Sequence, residues 1–363
     1  MNRYNRHIIL SEIGQIGQDK LSNAKVLVVG AGGLGCPVLQ YLAAAGIGTL
    51  GIIDFDIVEA SNLQRQVLFG TSSLGQNKAE AAKIRLKDLN DTITINAYPF
   101  PLDYQNALEL FKQYDIIVDG SDNFETRYLV NDVCILTNKP LVFGAIYKFE
   151  GQVSVFNYEN GPSYRCLFPN PPKKDTVPNC SEIGVLGVLP GIIGSLQANE
   201  VLKIVLGIGH VLSGKLLCFN ALTNQTSILK VKKSQETIDT VLKNKANFHT
   251  NQMDFNCETE IKEISITDLS EFENVQVIDV RESHELPKIT NLTVTSIPLS
   301  ELENSIDKID NKKQKVFFCQ AGIRSKQAVS ILNNLNIKNC FSLKEGAKQI
   351  IDTYEVLKTS HDK

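Results

Sequence analysis

Two stretches of the chain carry residues whose types and spacing suit chemistry. The first is the run GAGGLG at 30–35, which satisfies the G-x-G-x-x-G pattern between an apolar run and a helical pattern. Glycines let backbone N–H groups approach a phosphate, and the start of the following helix favours negative charge. Asp54, at the end of the next apolar run, suits a bond to a ribose hydroxyl. Alone, this pattern fits a dinucleotide-dependent oxidoreductase as well as an ATP site.

Charged side chains that follow the neighbouring strands favour ATP. Arg65 and Lys78 come after the second strand, and Asp122 and Asn123 come after the fourth. Open α/β sheets bind ligands at the carboxyl ends of their strands, so we expect these side chains near the glycines. Cations offset phosphate charge and a carboxylate such as Asp122 can hold Mg²⁺, which suits adenylyl transfer. Hydride transfer needs no such set.

The second stretch is CQAGIRS at 319–325, again between an apolar strand and a helix. This order puts the Cys319 sulfur at a helix N-terminus, among backbone N–H groups and with Arg324 nearby. Such surroundings stabilise a thiolate or a persulfide anion. The rival interpretation is a cysteine phosphatase, whose loop is one residue longer. The shorter loop is too tight for phosphate but adequate for sulfur.

The other cysteines divide by their surroundings. The chain has eight cysteines and no C-x-x-C pair, so the spacing indicates neither a disulfide framework nor a zinc site. Cys180 lies in the polar run VPNCSE at 177–182, where a thiol is a more plausible nucleophile than within an apolar strand. Cys36, Cys134 and Cys340 fall in helical or strand patterns and are expected to pack in cores.

The elements that must position these residues form two α/β patterns. Up to about residue 230, short apolar runs alternate with helical patterns, which predicts a Rossmann-like, doubly wound parallel sheet. Strands near 152–156, 216–220 and 227–231 are not all separated by helices and predict an antiparallel extension, hence a mixed sheet. A second, smaller α/β alternation begins near residue 275. We predict domains at 1–231 and 262–358, joined by a polar linker at 232–261.

Composition limits the partners and the compartment. The 363 residues carry a net charge of −3, which gives no general attraction to nucleic acid or to a membrane surface. Two long apolar regions, 26–53 and 183–209, are interrupted by polar residues and predict buried elements rather than membrane spans. The first residues lack the pattern of a signal peptide. We expect a cytoplasmic protein with reduced thiols.

Residues 1–230 resemble the MoeB/ThiF/HesA adenylyltransferases, which are bacterial relatives of ubiquitin-activating enzymes. The likeness is greatest to molybdopterin-synthase adenylyltransferase. The matching segments occur in the family's order: RYNRH at 3–7, GAGGLGCP at 30–37, DFD at 54–56, SNLQRQ at 61–66, GQNK at 75–78, DGSDNFETR at 119–127 and PGIIGSLQANE at 190–200.

This resemblance implies roles for particular residues. It implies a homodimer, because Arg6 matches an arginine that reaches into the neighbouring subunit's site, and it implies that Cys180 forms a thioester or an acyl disulfide in some members. It implies that Gly32 and Gly33 lie against the nucleotide phosphates and that Asp54 binds the ribose. It implies that the triphosphate is contacted by Asn62, Arg65 and Lys78. It also implies that Asp122, with Asn123 beside it, holds Mg²⁺. Taken singly, Asn62 also suits a helix N-cap and Arg65 a surface ion pair.

Many relatives hold a structural zinc on two C-x-x-C pairs, and this chain departs from that pattern. Cys166 keeps one position of the first pair, but Ser163 occupies the other. The second pair, expected after the strand at 227–231, is missing. We therefore predict no zinc.

Residues 262–358 resemble single-domain rhodaneses, through VIDVRE at 277–282, Glu285 and the Cys319 loop. The resemblance implies a Cys319 persulfide, with the DVRE run bracing the loop. Together the two regions imply that ATP activates the C-terminal Gly-Gly of a ubiquitin-like sulfur-carrier protein, which then receives sulfur supplied by a donor such as a cysteine desulfurase. Three alternatives stay open: adenylation with an inactive rhodanese-like domain, a nucleotide-binding scaffold, and an NAD-dependent oxidoreductase.

Overall fold

The computed structural model of the chain describes residues 3–172, 184–248, 261–272, 274–289, 293–320, 322–335, 337–351 and 353. It divides into two compact units, Met1–Phe255 and Asn256–Lys363. Among the described residues, no helix has the length and apolar character needed to cross a membrane.

The first unit is built on a mixed sheet of eight strands. Its helices are α1 (Asn5–Ile8), α2 (Gly14–Asn23), α3 (Gly35–Ala45), α4 (Lys78–Leu89), α5 (Ala107–Lys112), α6 (Phe124–Thr137), α7 (Tyr164–Leu167), α8 (Leu189–Leu206) and α9 (Gln235–Lys243). Its strands are β1 (Lys25–Val29), β2 (Thr49–Ile53), β3 (Thr94–Tyr98), β4 (Ile116–Asp119), β5 (Leu141–Tyr147), β6 (Glu150–Phe156), β7 (Lys215–Asn220) and β8 (Gln225–Lys230).

The strand order β3-β2-β1-β4-β5-β6-β7-β8 confirms the predicted doubly wound sheet. Strands β3 to β5 are parallel, and β5 to β8 pair antiparallel as the predicted extension. The run KVLVV of β1 is apolar on both faces because each face is buried. Val26 and Val28 pack into one hydrophobic cluster, while Leu27 and Val29 pack into the other.

The glycine run follows the end of β1 and lies against the turn after β4, at the point where the strand order reverses. Gly30 has a φ of +89°, and a Cβ there would lie 2.9 Å from the Gly120 carbonyl oxygen. A Cβ on Gly35 would lie 2.0 Å from the Gly30 carbonyl oxygen. A side chain at Gly30 would push away the turn after β4, and one at Gly35 would push α3 away from the end of β1, so these two glycines are needed for the close approach.

The second unit is a smaller α/β fold, as predicted. Its five strands are parallel and run in the order β11-β10-β12-β13-β9. They are β9 (Glu263–Ile264), β10 (Val275–Asp279), β11 (Val294–Ser296), β12 (Gln314–Phe318) and β13 (Cys340–Leu343). Helix α10 (Ile323–Asn334) connects β12 to β13.

Part of the range predicted as a linker, 232–261, is folded onto the first unit. Helix α9 lies in this range, and its Ile238 and Val241 are buried against Ile135 of α6. Phe248 packs on Tyr104 with their ring centroids 5.2 Å apart. The polar composition of the segment concealed a helix that needs only one narrow apolar stripe to pack. Residues 249–260 lie outside the described residues.

Candidate functional site

A cleft lies at the carboxyl ends of β1, β2 and β4, beside the glycine run. The structure brings seven of the predicted site residues together there, although they are spread over more than ninety positions of the sequence: Gly32, Gly33, Asp54, Arg65, Lys78, Asp122 and Asn123. The segments that follow β1, β2 and β4 thus supply polar groups to one edge, as a switch point in strand order requires.

Asp54 joins the glycine run to the end of β2. Its Oδ2 accepts a hydrogen bond from the Ala31 N–H at 2.7 Å, and its Oδ1 accepts one from the Asp56 N–H at 2.9 Å. Burial raises the pKa of the Asp54 carboxyl, which these two N–H groups oppose. Each carboxylate oxygen keeps a second lone pair, so the group can still accept a bond from a sugar hydroxyl.

Lys78 enters the cleft from the first residue of α4. Asn77 caps this helix through its Oδ1, which accepts from the Glu80 N–H, and its Nδ2 donates to the Asp54 carbonyl at 3.0 Å. The ammonium of Lys78 pairs with the Asp56 carboxylate at 2.8 Å. The cap therefore ties the start of α4 to the end of β2 and directs the lysine at the cleft.

Two carboxylates lie at the end of β4 and in the turn that follows it, and one is exposed whereas the other is buried. Asp122 is exposed at the cleft, whereas Asp119 is 1% exposed and its Oδ1 accepts from the N–H and the hydroxyl of Ser121. Burial raises the pKa of Asp119, and the nearby Arg127 opposes that rise. Arg127 donates to the Ser121 carbonyl at 3.2 Å. These contacts fix the turn that presents the Asp122 carboxylate to the cleft.

Three predicted residues do not join the cleft in this way. Asn62 is buried in a short 3₁₀ helix, where its Oδ1 accepts from the Glu59 N–H at 3.2 Å, so it is the third residue of a capping box and not the N-cap that the sequence also allowed. Arg6 is exposed on α1 and is absent from the cleft lining. Cys180 lies outside the described residues. Arg65 lines the cleft and donates to the Ser61 carbonyl at 3.1 Å.

Sequence reasoning missed an apolar wall of the cleft. Phe100, Pro101 and Leu102 line it, directly after β3. Because β3 pairs with β2, its carboxyl end reaches the same edge. The strand order would have indicated these residues, but no motif marks them. Asp56 was also left without a role, although its pairing with Lys78 puts it in the cleft.

The second predicted site surrounds Cys319, directly after β12. Cys319 is 1% exposed, and its Sγ lies 3.8 Å from the Ser325 hydroxyl in the first turn of α10. Arg324 makes two bonds to the Glu285 carboxylate, at 2.5 and 2.7 Å. Hydrogen bonding from Arg324 lowers the pKa of Glu285 to about 2. The arginine that the sequence predicted near the sulfur is thus held by a carboxylate.

The DVRE run braces the loop, as the sequence indicated. The guanidinium of Arg281 donates to the Asp279 Oδ2 at 2.7 Å and to the Gln320 Oε1 at 3.2 Å. Arg281 is 2% exposed. The residue that follows Cys319 is therefore bonded to the end of the neighbouring strand β10.

The residues at the zinc position of relatives form a cluster of hydroxyls around one sulfur. Ser163 Oγ lies 3.3 Å and Thr237 Oγ1 3.5 Å from Cys166 Sγ, which also accepts from the Ser234 N–H at 3.2 Å. Burial acts to raise the pKa of the Cys166 thiol, but these hydrogen bonds outweigh it and hold the pKa below its ordinary value. One thiol with hydroxyl neighbours does not fit a tetrahedral zinc, which needs thiolate or imidazole ligands. Within the described ranges, no group of three or more metal-binding side chains occurs.

Three further cysteines are packed in cores, as predicted. Cys36 and Cys134 are fully buried, and Cys340 is 6% exposed. Burial raises the pKa of Cys36 to about 12 and that of Cys340 to about 11. Burial also raises the pKa of Cys134 well above its ordinary value. None of these thiols suits a nucleophile.

Comparison with known proteins agrees with this geometry. Residues 4–240 match the model of the ThiF family, and residues 265–353 match that of the rhodanese-like domain. The chain belongs to the ThiF family. This membership confirms the predicted class, an adenylyltransferase joined to a rhodanese-like sulfurtransferase domain, and it argues against the dinucleotide oxidoreductase.

Two relatives of this ThiF-family chain differ in how much of it they match. The "Sulfur carrier protein adenylyltransferase" of Thermus thermophilus is 54% identical over 64% of this chain and 88% of its own length. The "Probable adenylyltransferase/sulfurtransferase MoeZ" of Mycobacterium tuberculosis is 39% identical over 95% of this chain and 91% of its own length. Among solved structures, "Crystal structure of E. coli MccB + ATP" is 26% identical, with a TM-score of 0.57 over 64% of this chain and 72% of that one.

Proposed function

We propose that this chain uses ATP to adenylate the C-terminal glycine of a ubiquitin-like sulfur-carrier protein, and then thiolates that tail from a persulfide on Cys319. The observation that carries the proposal is the presence, in one chain, of the phosphate-suited cleft and the Cys319 loop. The names of the relatives from Thermus thermophilus and Mycobacterium tuberculosis, an adenylyltransferase and an adenylyltransferase/sulfurtransferase, support both halves.

In the first step, a carboxylate oxygen of the tail attacks the α-phosphorus of ATP and pyrophosphate leaves, which gives an acyl-adenylate. Gly32 and Gly33 allow close approach of the phosphates, and Asp54 accepts from the ribose. Arg65 and Lys78 offset the phosphate charge. Asp122, with Asn123 beside it, would hold Mg²⁺, which lowers the charge repulsion between the two reacting anions.

In the second step, the terminal sulfur of the Cys319 persulfide attacks the acyl carbon and AMP leaves, which gives an acyl disulfide on Cys319. A thiolate then attacks the Cys319 sulfur, so that the carrier departs as a thiocarboxylate and a disulfide remains. A cellular thiol can make this attack, whereas the family resemblance implies for Cys180 a thioester or an acyl disulfide with the carrier. A cellular thiol reduces that disulfide, and a sulfur donor such as a cysteine desulfurase reloads Cys319.

We also infer a homodimer in the cytoplasm, in which Arg6 completes the partner's cleft. Its exposure on α1 is compatible with a role outside its own cleft. Mixing Arg6→Ala protein with Asp122→Ala protein tests this inference. Partial recovery of pyrophosphate exchange is expected from hybrid dimers, and no recovery would mean that Arg6 acts within its own chain or not at all.

The direct test combines the protein with ATP, Mg²⁺ and purified proteins that end in Gly-Gly, and follows each tail by mass spectrometry. An acyl-adenylate is expected first, and a thiocarboxylate after a persulfide donor is added. Absence of both products with every carrier would refute the proposal.

The burial of Cys319 favours one narrower alternative, in which the chain only adenylates. Persulfide labelling of Cys319 separates the two cases.

A further inference from the structure

A buried chain of hydroxyl groups connects Cys319 to strand β13. Ser325 Oγ lies 3.8 Å from Cys319 Sγ, and Ser342 Oγ donates to Ser325 Oγ at 2.9 Å. Ser325 and Ser342 are both 0% exposed. We propose that Ser325 and Ser342 form a hydroxyl relay, with Ser342 as a positioning residue that makes Ser325 a hydrogen-bond donor to the sulfur of Cys319.

The number of hydroxyl protons supports Ser342 as the donor and Ser325 as the acceptor of the bond between them. Each serine has one hydroxyl proton, and Ser342 gives its proton to Ser325 at 2.9 Å in preference to the Leu343 carbonyl at 3.4 Å. Ser325 in turn donates to the Gly322 carbonyl at 2.9 Å. With a neutral thiol, Cys319 donates to the free lone pair of Ser325. With a thiolate or persulfide, the sulfur only accepts, and the Ser325 proton turns from the carbonyl to the sulfur.

Ser342 donates to Ser325 both when Cys319 is a neutral thiol and when it is a thiolate or persulfide. An accepted hydrogen bond polarises the Ser325 hydroxyl and strengthens it as a donor, most of all where water is excluded. A serine at a fully buried position of a strand is unusual, since an apolar residue would pack there without needing a partner. Its neighbours in β13, Phe341 and Leu343, are apolar. The hydroxyl of Ser342 is therefore retained where packing alone does not call for it.

The charged groups around the sulfur stay constant in the relevant variants. Arg324, which interacts with the sulfur, is held by Glu285, and Arg281, which bonds the next residue Gln320, is held by Asp279. Neither serine contacts these ion pairs in the described structure, so changes in sulfur reactivity on removing a hydroxyl report the relay.

The experiment follows alkylation of Cys319 by iodoacetamide against pH in the full-length protein. Trypsin releases residues 316–324, in which Cys319 is the sole cysteine, so mass spectrometry reads this thiol alone. At neutral pH, we expect Ser325→Ala to slow alkylation about tenfold by removing a donor to an anion. Ser342→Ala should slow it about threefold, since it only weakens that donor. In both variants the midpoint of the pH profile should rise.

The double variant decides whether the serines act in series. If the serines form a relay, the alkylation rate of Ser325→Ala/Ser342→Ala should equal that of Ser325→Ala alone. If they act independently, the two decreases in rate should multiply. Ser296→Ala, on the exposed side of β11 in the same sheet, is the matched control and should leave the profile unchanged. Profiles of both single variants that superimpose on the wild type would overturn the relay, as would multiplying effects. Circular dichroism excludes a folding defect, and the Ser325 profile stands if Ser342→Ala does not fold.

The relay rests on the proposed sulfur-carrying role of Cys319, but the test does not. Alkylation needs neither ATP nor a carrier protein. A shifted profile without thiocarboxylate formation would therefore support the relay and count against the proposed function, and the reverse result would do the opposite.

Discussion

The Lys78 ammonium lies 2.8 Å from the Asp56 carboxylate, and only the lysine of this pair is buried: its side chain is 8% exposed, against 52% for Asp56. A buried cation without a partner is costly, so Asp56 stabilises Lys78 while the cleft holds no nucleotide. A triphosphate brings competing negative charge, and the exposed Asp56 can then turn to solvent.

The first prediction concerns this pair. Asp56→Asn removes the counter-ion and should lower the stability of the nucleotide-free protein by roughly 1 kcal/mol. ATP should then raise the melting temperature of the variant by more than that of the wild type, because phosphate replaces the lost charge. Thermal unfolding with and without ATP measures both effects. Asp88→Asn, on the exposed side of α4, is the control, and an equal ATP response in all three proteins would contradict the prediction.

The second prediction concerns the exposed carboxylate after β4. Asp122→Ala should lower carrier-dependent pyrophosphate exchange by about 100-fold or more, since under the proposed function it removes the group that would hold Mg²⁺ on the reacting phosphates. Arg65→Ala should have a similar effect. Both proteins should keep the wild-type melting temperature, because Asp122 is exposed at the cleft. Unchanged exchange in both variants would remove these residues from the site, with Asp88→Ala as the reference.

The third prediction separates the two activities. Cys319→Ala should leave pyrophosphate exchange intact and abolish thiocarboxylate formation, because only the second step needs a sulfur nucleophile. Cys340→Ala is the matched control, since Cys340 packs in the same hydrophobic cluster as Cys319 but has a pKa raised by burial to about 11. Mass spectrometry of the carrier tail reads the product. Thiocarboxylate formed by the Cys319 variant would exclude the persulfide route.

The fourth prediction concerns acid stability of the second unit. Hydrogen bonding from Arg324 lowers the pKa of Glu285 from 4.5 to about 2. Because the folded value lies below the unfolded one, the ion pair stabilises the fold above pH 4.5, and this stabilisation disappears as the pH falls toward 2. Glu285→Gln should lose that dependence. Hydrogen exchange of residues 323–334 between those pH values measures it, with the exposed Glu301→Gln as control; identical profiles would refute the role.

The fifth prediction concerns the cluster around Cys166. The wild type should contain no stoichiometric zinc by elemental analysis. The neighbouring side-chain oxygens lie 3.3 and 3.5 Å from Cys166 Sγ, close to the spacing of about 3.8 Å between sulfurs in a tetrahedral zinc site. The variant Ser163→Cys/Thr237→Cys, which offers three thiols and leaves the fourth position to water, should therefore bind one zinc and melt at a higher temperature. A variant that binds no zinc would show that the backbone here does not suit a metal.

Patterns formed by residues that are close together in the sequence could be interpreted from the sequence alone. The glycine run, the carboxylates after strand ends and the Cys319 loop depend on a few adjacent residues, so their types indicate both element and chemistry. The doubly wound sheet also followed from alternating apolar runs, since parallel strands buried on both faces leave continuous hydrophobic segments. The polar helix α9 could not be predicted from its sequence, because its narrow apolar stripe is buried only by packing against Ile135.

The sequence by itself determined the alternating strands and helices of both α/β patterns and the residues that follow the strand ends, but not helix α9. Only the tertiary structure decided the pairing of Asp56 with Lys78, the capping role of Asn62, the cluster around Cys166 and the link from Ser342 to Ser325. These contacts depend on how segments distant in the chain meet. Ser342 faces Ser325 because β13 pairs with β12 in one register, and a shift of a single residue would turn its hydroxyl to the other face of the sheet.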